Sequence, residues 1–245
     1  MVQYFVGTSG WHYDDWKGRF YPQEIAKAGW LDFYSRHFNS VELNNSFYRL
    51  PSAAALVNWR DLSPQGFIFS VKVSRFITHI KRLKSIGEAL HTFLTRVDLL
   101  QDKLGPLLYQ LPPNMKRNES NESNLVSFLE VLPKNYKHVI EFRHSSWIDD
   151  VIFDLLRKHK IGLCVFNLPD FTCPLEATTD FAYIRLHGSQ LLYSSRYSDE
   201  ELRQWSTRIS RIKSKLASIY IYFNNDIAGY AVDNAVTLGK MLNAE

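Results

Sequence analysis

Strand-like and helix-like stretches alternate along this chain from end to end, and that alternation limits its architecture more than any other feature. Runs rich in Val, Ile, Phe and Tyr fall at Gln3–Gly7, Ser40–Asn44, Phe67–Val73, Gly105–Gln110, Val139–Phe142, Gly162–Asn167, Ala182–His187 and Ser218–Asn224. Apolar residues at helical spacing fill most of the gaps, over Ile25–His37, Ser85–Leu100, Leu125–Leu132, Trp147–Lys158, Asp199–Leu216 and Ala231–Leu242. Ser198 ahead of Asp199, Glu200 and Glu201 reads as a capping box. Asn167–Asp180, with Pro169 and Pro174, reads as a loop in place of a helix, and polar Lys116–Asn124 reads as a surface loop before one.

Eight strands separated by helices make a parallel sheet. With 245 residues and no linker-like stretch, the chain fits one α/β domain, a (β/α)8 TIM-like barrel spanning 1–245. The alternative is an open doubly wound sheet, but neither a dinucleotide fingerprint nor a P-loop occurs to support it. A hydrophobic content of 45% excludes a disordered chain. No apolar run approaches the roughly 18 residues of a membrane span. Two cysteines, Cys164 and Cys173, cannot build a disulfide framework or a four-thiolate zinc site. With a strand pattern starting at Gln3 and no leader-like segment before it, a cytoplasmic protein without membrane partners is the expectation.

The strands of a parallel barrel are covered on both faces and should read as continuous apolar runs. Several here do not. Glu42 alternates with Val41 and Leu43, Lys72 with Val71 and Val73, Glu141 and Arg143 with Ile140 and Phe142, and Arg185 and His187 with Ile184 and Leu186. The apolar face must meet the helices, so the charged face points into the barrel or its mouth. An unpaired buried charge costs several kcal/mol, so these groups must neutralise one another or bind something. Three cations, Lys72, Arg143 and Arg185, outnumber Glu42 and Glu141, which favours an anionic ligand. The loops after the strands interleave rings with polar and basic groups. Trp11, Asn44, Phe47, Tyr48, Arg75, His79, Trp147, Tyr193 and Asn224 join Lys72, Arg143 and Arg185 as candidate substrate-binding residues. For any single ring, a packing role is the simpler reading. Asp226, in a turn-rich segment, reads first as a helix cap.

The segments GTSGWHYDDWKGRFYP (7–22), FNSVELNNSFYRLP (38–51), FIFSVKVSRFITH (67–79), KLGPLLYQLPP (103–113), IEFRHSSW (140–147), YIRLHGS (183–189), YFNND and GYAVDNA (222–235) together resemble the domain-of-unknown-function 72, or YecE-like, family. The resemblance implies a TIM barrel and no established activity. Asn167 is a departure: an acidic residue often ends the sixth strand in that pattern, so an anion is missing there if the strand supplies a metal ligand.

Three functions compete. In the first, a phosphate-ester or phosphodiester hydrolase acts on a nucleotide or nucleic acid. Lys72, Arg143 and Arg185 bind phosphate, and Glu42, Glu141 and His187 are the catalytic groups. One Mg²⁺ or Mn²⁺ on Glu42, Glu141, His187 and Asp226 fits that chemistry better than zinc, with metal-free operation equally open. In the second, the chain binds an anionic metabolite or nucleic acid without turnover. In the third, Glu42 and Glu141 serve a carbohydrate-active enzyme with Trp11 and Trp147 as sugar platforms, against which stand three cations that would hold both carboxyls ionised.

Overall fold

The computed structural model describes residues 2–168 and 171–244. Eight parallel strands form a nearly closed barrel with helices between them. They are β1 (Gln3–Thr8), β2 (Ser40–Leu43), β3 (Ile68–Lys72), β4 (Leu104–Gln110), β5 (His138–Glu141), β6 (Gly162–Leu168), β8 (Phe181–Leu186) and β9 (Ser218–Phe223). The two-residue β7 (Phe171–Thr172) turns back antiparallel on β6, as the loop-like Asn167–Asp180 segment allows; Pro169, part of that expectation, lies outside the described residues. The ladder runs β1-β9-β8-β6-β5-β4-β3-β2.

Between β1 and β2 the barrel is closed largely by side chains. A single bridge joins Ser9 to Glu42 near the top. Below it, Asn39 accepts from Val6 N at 3.1 Å and donates to Tyr4 O at 2.8 Å. The Tyr34 hydroxyl accepts from Thr8 N at 2.9 Å and donates to Ser40 O at 3.2 Å. Gly7 permits the approach: a Cβ there would lie 2.0 Å from Ser40 O.

The helices are α1 (Trp30–Ser35), α2 (Asn45–Tyr48), α3 (Ala53–Leu62), α4 (Gly87–Val97), α5 (Glu119–Val131), α6 (Asp150–His159), α7 (Asp199–Ser210) and α8 (Tyr230–Asn243). Their apolar stripes pack on the outward strand faces in the larger hydrophobic cluster. The Ser198 capping box of α7 is formed. Several helix expectations change. α5 begins at Glu119, inside the stretch expected to be a loop, because the Asn118 side chain caps Asn121 N and the polar first turns need no apolar partner. α6 starts at Asp150, after the Asp149 cap and not at Trp147. The Ile25–His37 pattern holds only a one-turn segment, Lys27–Gly29, leading into α1. α3, capped by Ser52, was not expected; its apolar signal is weak, with Leu56 the only residue of the helix that is buried.

Inside the barrel, Phe5, Leu108, Val139, Cys164, Phe181, Tyr183, Tyr220 and Tyr222 plug the lower half. Phe5 and Tyr220 stack with ring centroids 4.8 Å apart. The Tyr222 hydroxyl meets Ser40 Oγ at 2.5 Å and Ser70 Oγ at 2.7 Å, which begins the polar layer above. No helix among the described residues is long and apolar enough to cross a membrane.

Candidate functional site at the barrel mouth

Period-two alternation carries each strand's inward face from the aromatic plug up to the mouth. Tyr183, Arg185 and His187 follow one another along β8 and its exit, as Val139, Glu141 and Arg143 do along β5. The structure brings Glu42, Glu141, Arg143, Arg185 and His187 into one hydrogen-bonded layer, with Lys72 beside it.

Arg185 is the hub and only 1% exposed. Its Nη2 donates to Glu42 Oε1 at 2.8 Å and its Nε to Glu42 Oε2 at 3.0 Å. Its Nη1 donates to Glu141 Oε2 at 2.8 Å. Glu42 accepts further bonds from Ser9 Oγ at 2.7 Å and Tyr183 Oη at 2.6 Å. Arg143 pairs through Nε with Glu141 Oε1 and through Nη2 with His187 Nε2 at 2.9 Å. Because a guanidinium only donates, His187 accepts at Nε2 and carries its proton on Nδ1, a buried atom with no partner among the described residues. Burial, then the charges of Arg185 and Arg143, hold His187 well below its ordinary range, so it is neutral. Burial alone would raise the Glu141 carboxyl, but Arg143 and Arg185 outweigh it and keep it below the ordinary carboxylate range.

Two arginines therefore cancel two glutamates. Lys72 is the charge left over among the described residues of this layer. Its Nζ makes no hydrogen bond or ion pair with them and sits over the Phe47 ring, 4.2 Å from the centroid. Burial, then repulsion from Arg185, lowers it to about 8. His79 stands edge-on to the same ring at 4.9 Å, and burial with Lys72 nearby lowers it to about 4.

The geometry revises several expectations. Glu42 and Glu141 are fully buried and engaged by guanidinium groups, so neither is free to act as acid, base or glycosidase nucleophile. Arg185, expected to hold phosphate, is only 1% exposed and directs three of its donors at Glu42 and Glu141. Trp11 and Trp147 are packing anchors, not platforms. Trp147 is fully buried, stacks on Phe142 and donates to Met115 O at 2.7 Å. Trp11, 2% exposed, packs edge-on against Trp59 and Phe69. Among the described residues, no three of His, Cys, Asp and Glu are placed to hold a metal ion. Of the groups expected to do so, Glu42 and Glu141 are paired with arginines, and His187 Nε2 is occupied by Arg143. Asp226 does not cap the turn after it. Its carboxyl contacts the Tyr13 hydroxyl, and burial pushes it up to about 8, so it is mostly protonated at neutral pH. Asn167 is tied to Tyr197 Oη at 2.8 Å and Thr172 Oγ1 at 2.8 Å.

The remaining sequence candidates line the upper rim. Asn44, His79 and Asn224 are half-buried, with Asn44 Oδ1 unpartnered among the described residues, while Tyr48, Arg75 and Tyr193 are exposed. Tyr193 lies 5.7 Å from the His187 ring and holds a left-handed φ of 63°, unusual for a residue with a side chain. Sequence reasoning missed Tyr183, Ser9, Tyr13 and Gln110, whose Oε1 accepts from Arg185 Nη1 at 3.4 Å and Arg143 Nη2 at 3.5 Å. Tyr183 was visible in principle, two residues before Arg185 on the same strand face. Ser9 and Tyr13 gave no signal, because their partners are distant in sequence.

Residues 5–245 match the sequence model of the family described as "Protein of unknown function DUF72". The chain belongs to that family. A DUF72 family protein from Thermotoga maritima, known from a crystal structure, is similar at 32% identity with a TM-score of 0.91, covering 98% of this chain and 99% of that one. A DUF72 family protein from Enterococcus faecalis shares the fold at 20% identity and a TM-score of 0.83, covering 99% of this chain and 96% of its own. The UPF0759 protein YunF of Bacillus subtilis is 25% identical over 98% of this chain and 95% of its own length. DUF72 membership and these relatives agree with the barrel and supply no activity.

Proposed function

We propose that the barrel mouth binds a phosphate-bearing ligand, a small phosphate ester or a nucleotide, through Lys72 and Arg143. The observation that carries this reading is the uncompensated Lys72 ammonium above a layer whose other charges cancel. Arg143, at the edge of that layer and part of it, keeps a side chain 10% exposed and has Nη1 outside the bonds it makes to Glu141 and His187. One cation 4 Å from a phosphate charge is worth about 4 kcal/mol at an effective dielectric of 20, before desolvation is subtracted. A neutral sugar gains nothing comparable. The exposed rings of Tyr48 and Tyr193, with Arg75, give a nucleotide base and further phosphates something to meet at the rim.

Binding is favoured over phosphoester hydrolysis because Glu42 and Glu141, the groups such a reaction would use as bases, are committed to arginine. The test is calorimetry with inorganic phosphate, nucleotides, oligonucleotides and neutral sugars at low and high salt, on the native chain and on Arg143→Ala. Phosphate and nucleotide binding that weakens with salt and with the substitution supports the reading. Preference for neutral sugars, or indifference to salt and to Arg143, overturns it. Release of inorganic phosphate from a bound ester would restore the hydrolase.

A further inference from the structure

We propose that Lys72 is a nucleophilic amine, which captures the carbonyl carbon of an anionic aldehyde or ketone as an imine while Arg143 holds the ligand's anionic group. The ligand's charge rests on the anion-binding reading above; the role of the amine rests on its own geometry.

Three observations carry it. Lys72 ends β3 at the mouth and is only partly buried, so a ligand can reach it. Its nitrogen packs against the Phe47 ring at 4.2 Å and has, among the described residues, no carboxylate partner to fix it as an ammonium. The two carboxylates that would otherwise quench it are drawn off, Glu42 by Arg185, and Glu141 by Arg185 and Arg143. The charged and titratable groups facing Lys72 are thus Glu42 from β2, Glu141 and Arg143 from the end of β5, Arg185 from β8, His187 just past its end, and His79 from the turn after β3. An amine desolvated on an apolar face beside other cations is the arrangement that frees a lysine lone pair near neutral pH. With its titration near 8 against 10.5 for an ordinary lysine, roughly a tenth of Lys72 is free amine at pH 7, about 300-fold more than an exposed lysine.

The step balances without an oxidant, reductant or metal. The lone pair of Lys72 forms the C–N bond as the carbonyl π pair moves to oxygen, which takes a proton. Nitrogen then gives up its protons as the hydroxyl leaves as water, and the products are the imine and one water. An imine on a lysine can be reduced by borohydride to a stable secondary amine, which makes the site traceable.

The probe is pyridoxal 5′-phosphate, an aldehyde that carries a phosphate. The chain is treated near pH 7.5 with less than one equivalent, reduced with borohydride and mapped by peptide mass spectrometry. The expected result is a label concentrated at Lys72, at least 10-fold above exposed lysines such as Lys81 and Lys84. It should be lost in Lys72→Arg, which keeps the charge and should melt close to the native chain. The labelling rate should rise to half its maximum near pH 8. A label spread over surface lysines with Lys72 unmodified overturns the inference. A second arm with pyridoxal, which lacks the phosphate, separates it from the binding reading. Equal labelling of Lys72 by both aldehydes, with no competition from inorganic phosphate, upholds the amine and removes the anion site. Phosphate-competed binding of pyridoxal 5′-phosphate that leaves Lys72 unmodified upholds the anion site and removes the amine.

Discussion

Replacing Arg185 with Met tests the electrostatic account of the barrel interior. The substitution keeps most of the side-chain volume and removes a guanidinium that bridges two fully buried carboxylates. Glu141 keeps Arg143. Glu42 keeps neutral donors, Ser9 Oγ and Tyr183 Oη, but no cation of the described residues within ion-pair distance. Stranding a buried charge in this way costs about 3–5 kcal/mol. At roughly 2–4 °C per kcal/mol for a chain of this size, the Tm should fall by about 6–20 °C. The deficit should depend on pH, with a definite sign. In the native chain the Glu141 carboxyl is held below its ordinary value of 4.5, so its contribution is present above about pH 4.5 and is lost as acid is added. In Arg185→Met the stranded carboxylate costs most when ionised, and protonation relieves it. The gap between the two chains should therefore be largest near pH 7 and shrink toward pH 4. Adding Glu42→Gln should recover part of the loss at pH 7. Urea denaturation of the three chains at several pH values reads all of this. Equal midpoints for native and Arg185→Met, or a deficit unchanged between pH 4 and 7, would refute the reasoning.

Further outcomes follow from other parts of the molecule. Gly7→Ala should destabilise the chain by several kcal/mol, measured by urea denaturation, because its Cβ would fall 2.0 Å from a backbone oxygen across the β1–β2 seam. Tyr34→Phe should cost about 1–3 kcal/mol in the same assay, since Thr8 N and Ser40 O lose their shared partner in a buried position. Asp226 has a folded pKa raised from 3.8 to about 8, so it lowers stability progressively as pH rises from about 4 through 8. Asp226→Asn should flatten the pH dependence of Tm across that window, and a slope equal to that of the native chain would count against a buried protonated carboxyl.

Much of the fold was legible because its causes are local. Strand positions came from short β-branched and aromatic runs, and the α7 start from the Ser198–Glu201 box. The helix boundaries that were misplaced depend on less visible signals. Asn118 caps α5 ahead of a polar turn that carries no apolar stripe, and α3 buries too little of its surface to mark itself.

The sequence by itself determined that a parallel barrel forms and that its interior turns polar toward the mouth. Both follow from periodicity: alternation at two residues sends one set of side chains inward wherever the strand lies. What only the tertiary structure decided was which of those charges remains free. Arg185 is separated by 143 residues from Glu42 and by 44 from Glu141, and a count of charges cannot say which of three cations will be consumed. The fold places one guanidinium between two carboxylates and a second against His187, leaving Lys72 against Phe47. It also sinks Trp11 and Trp147 out of a ligand's reach. Charge pairing and burial depend on distances between strands and helices remote in sequence, and those distances exist only once the barrel has closed.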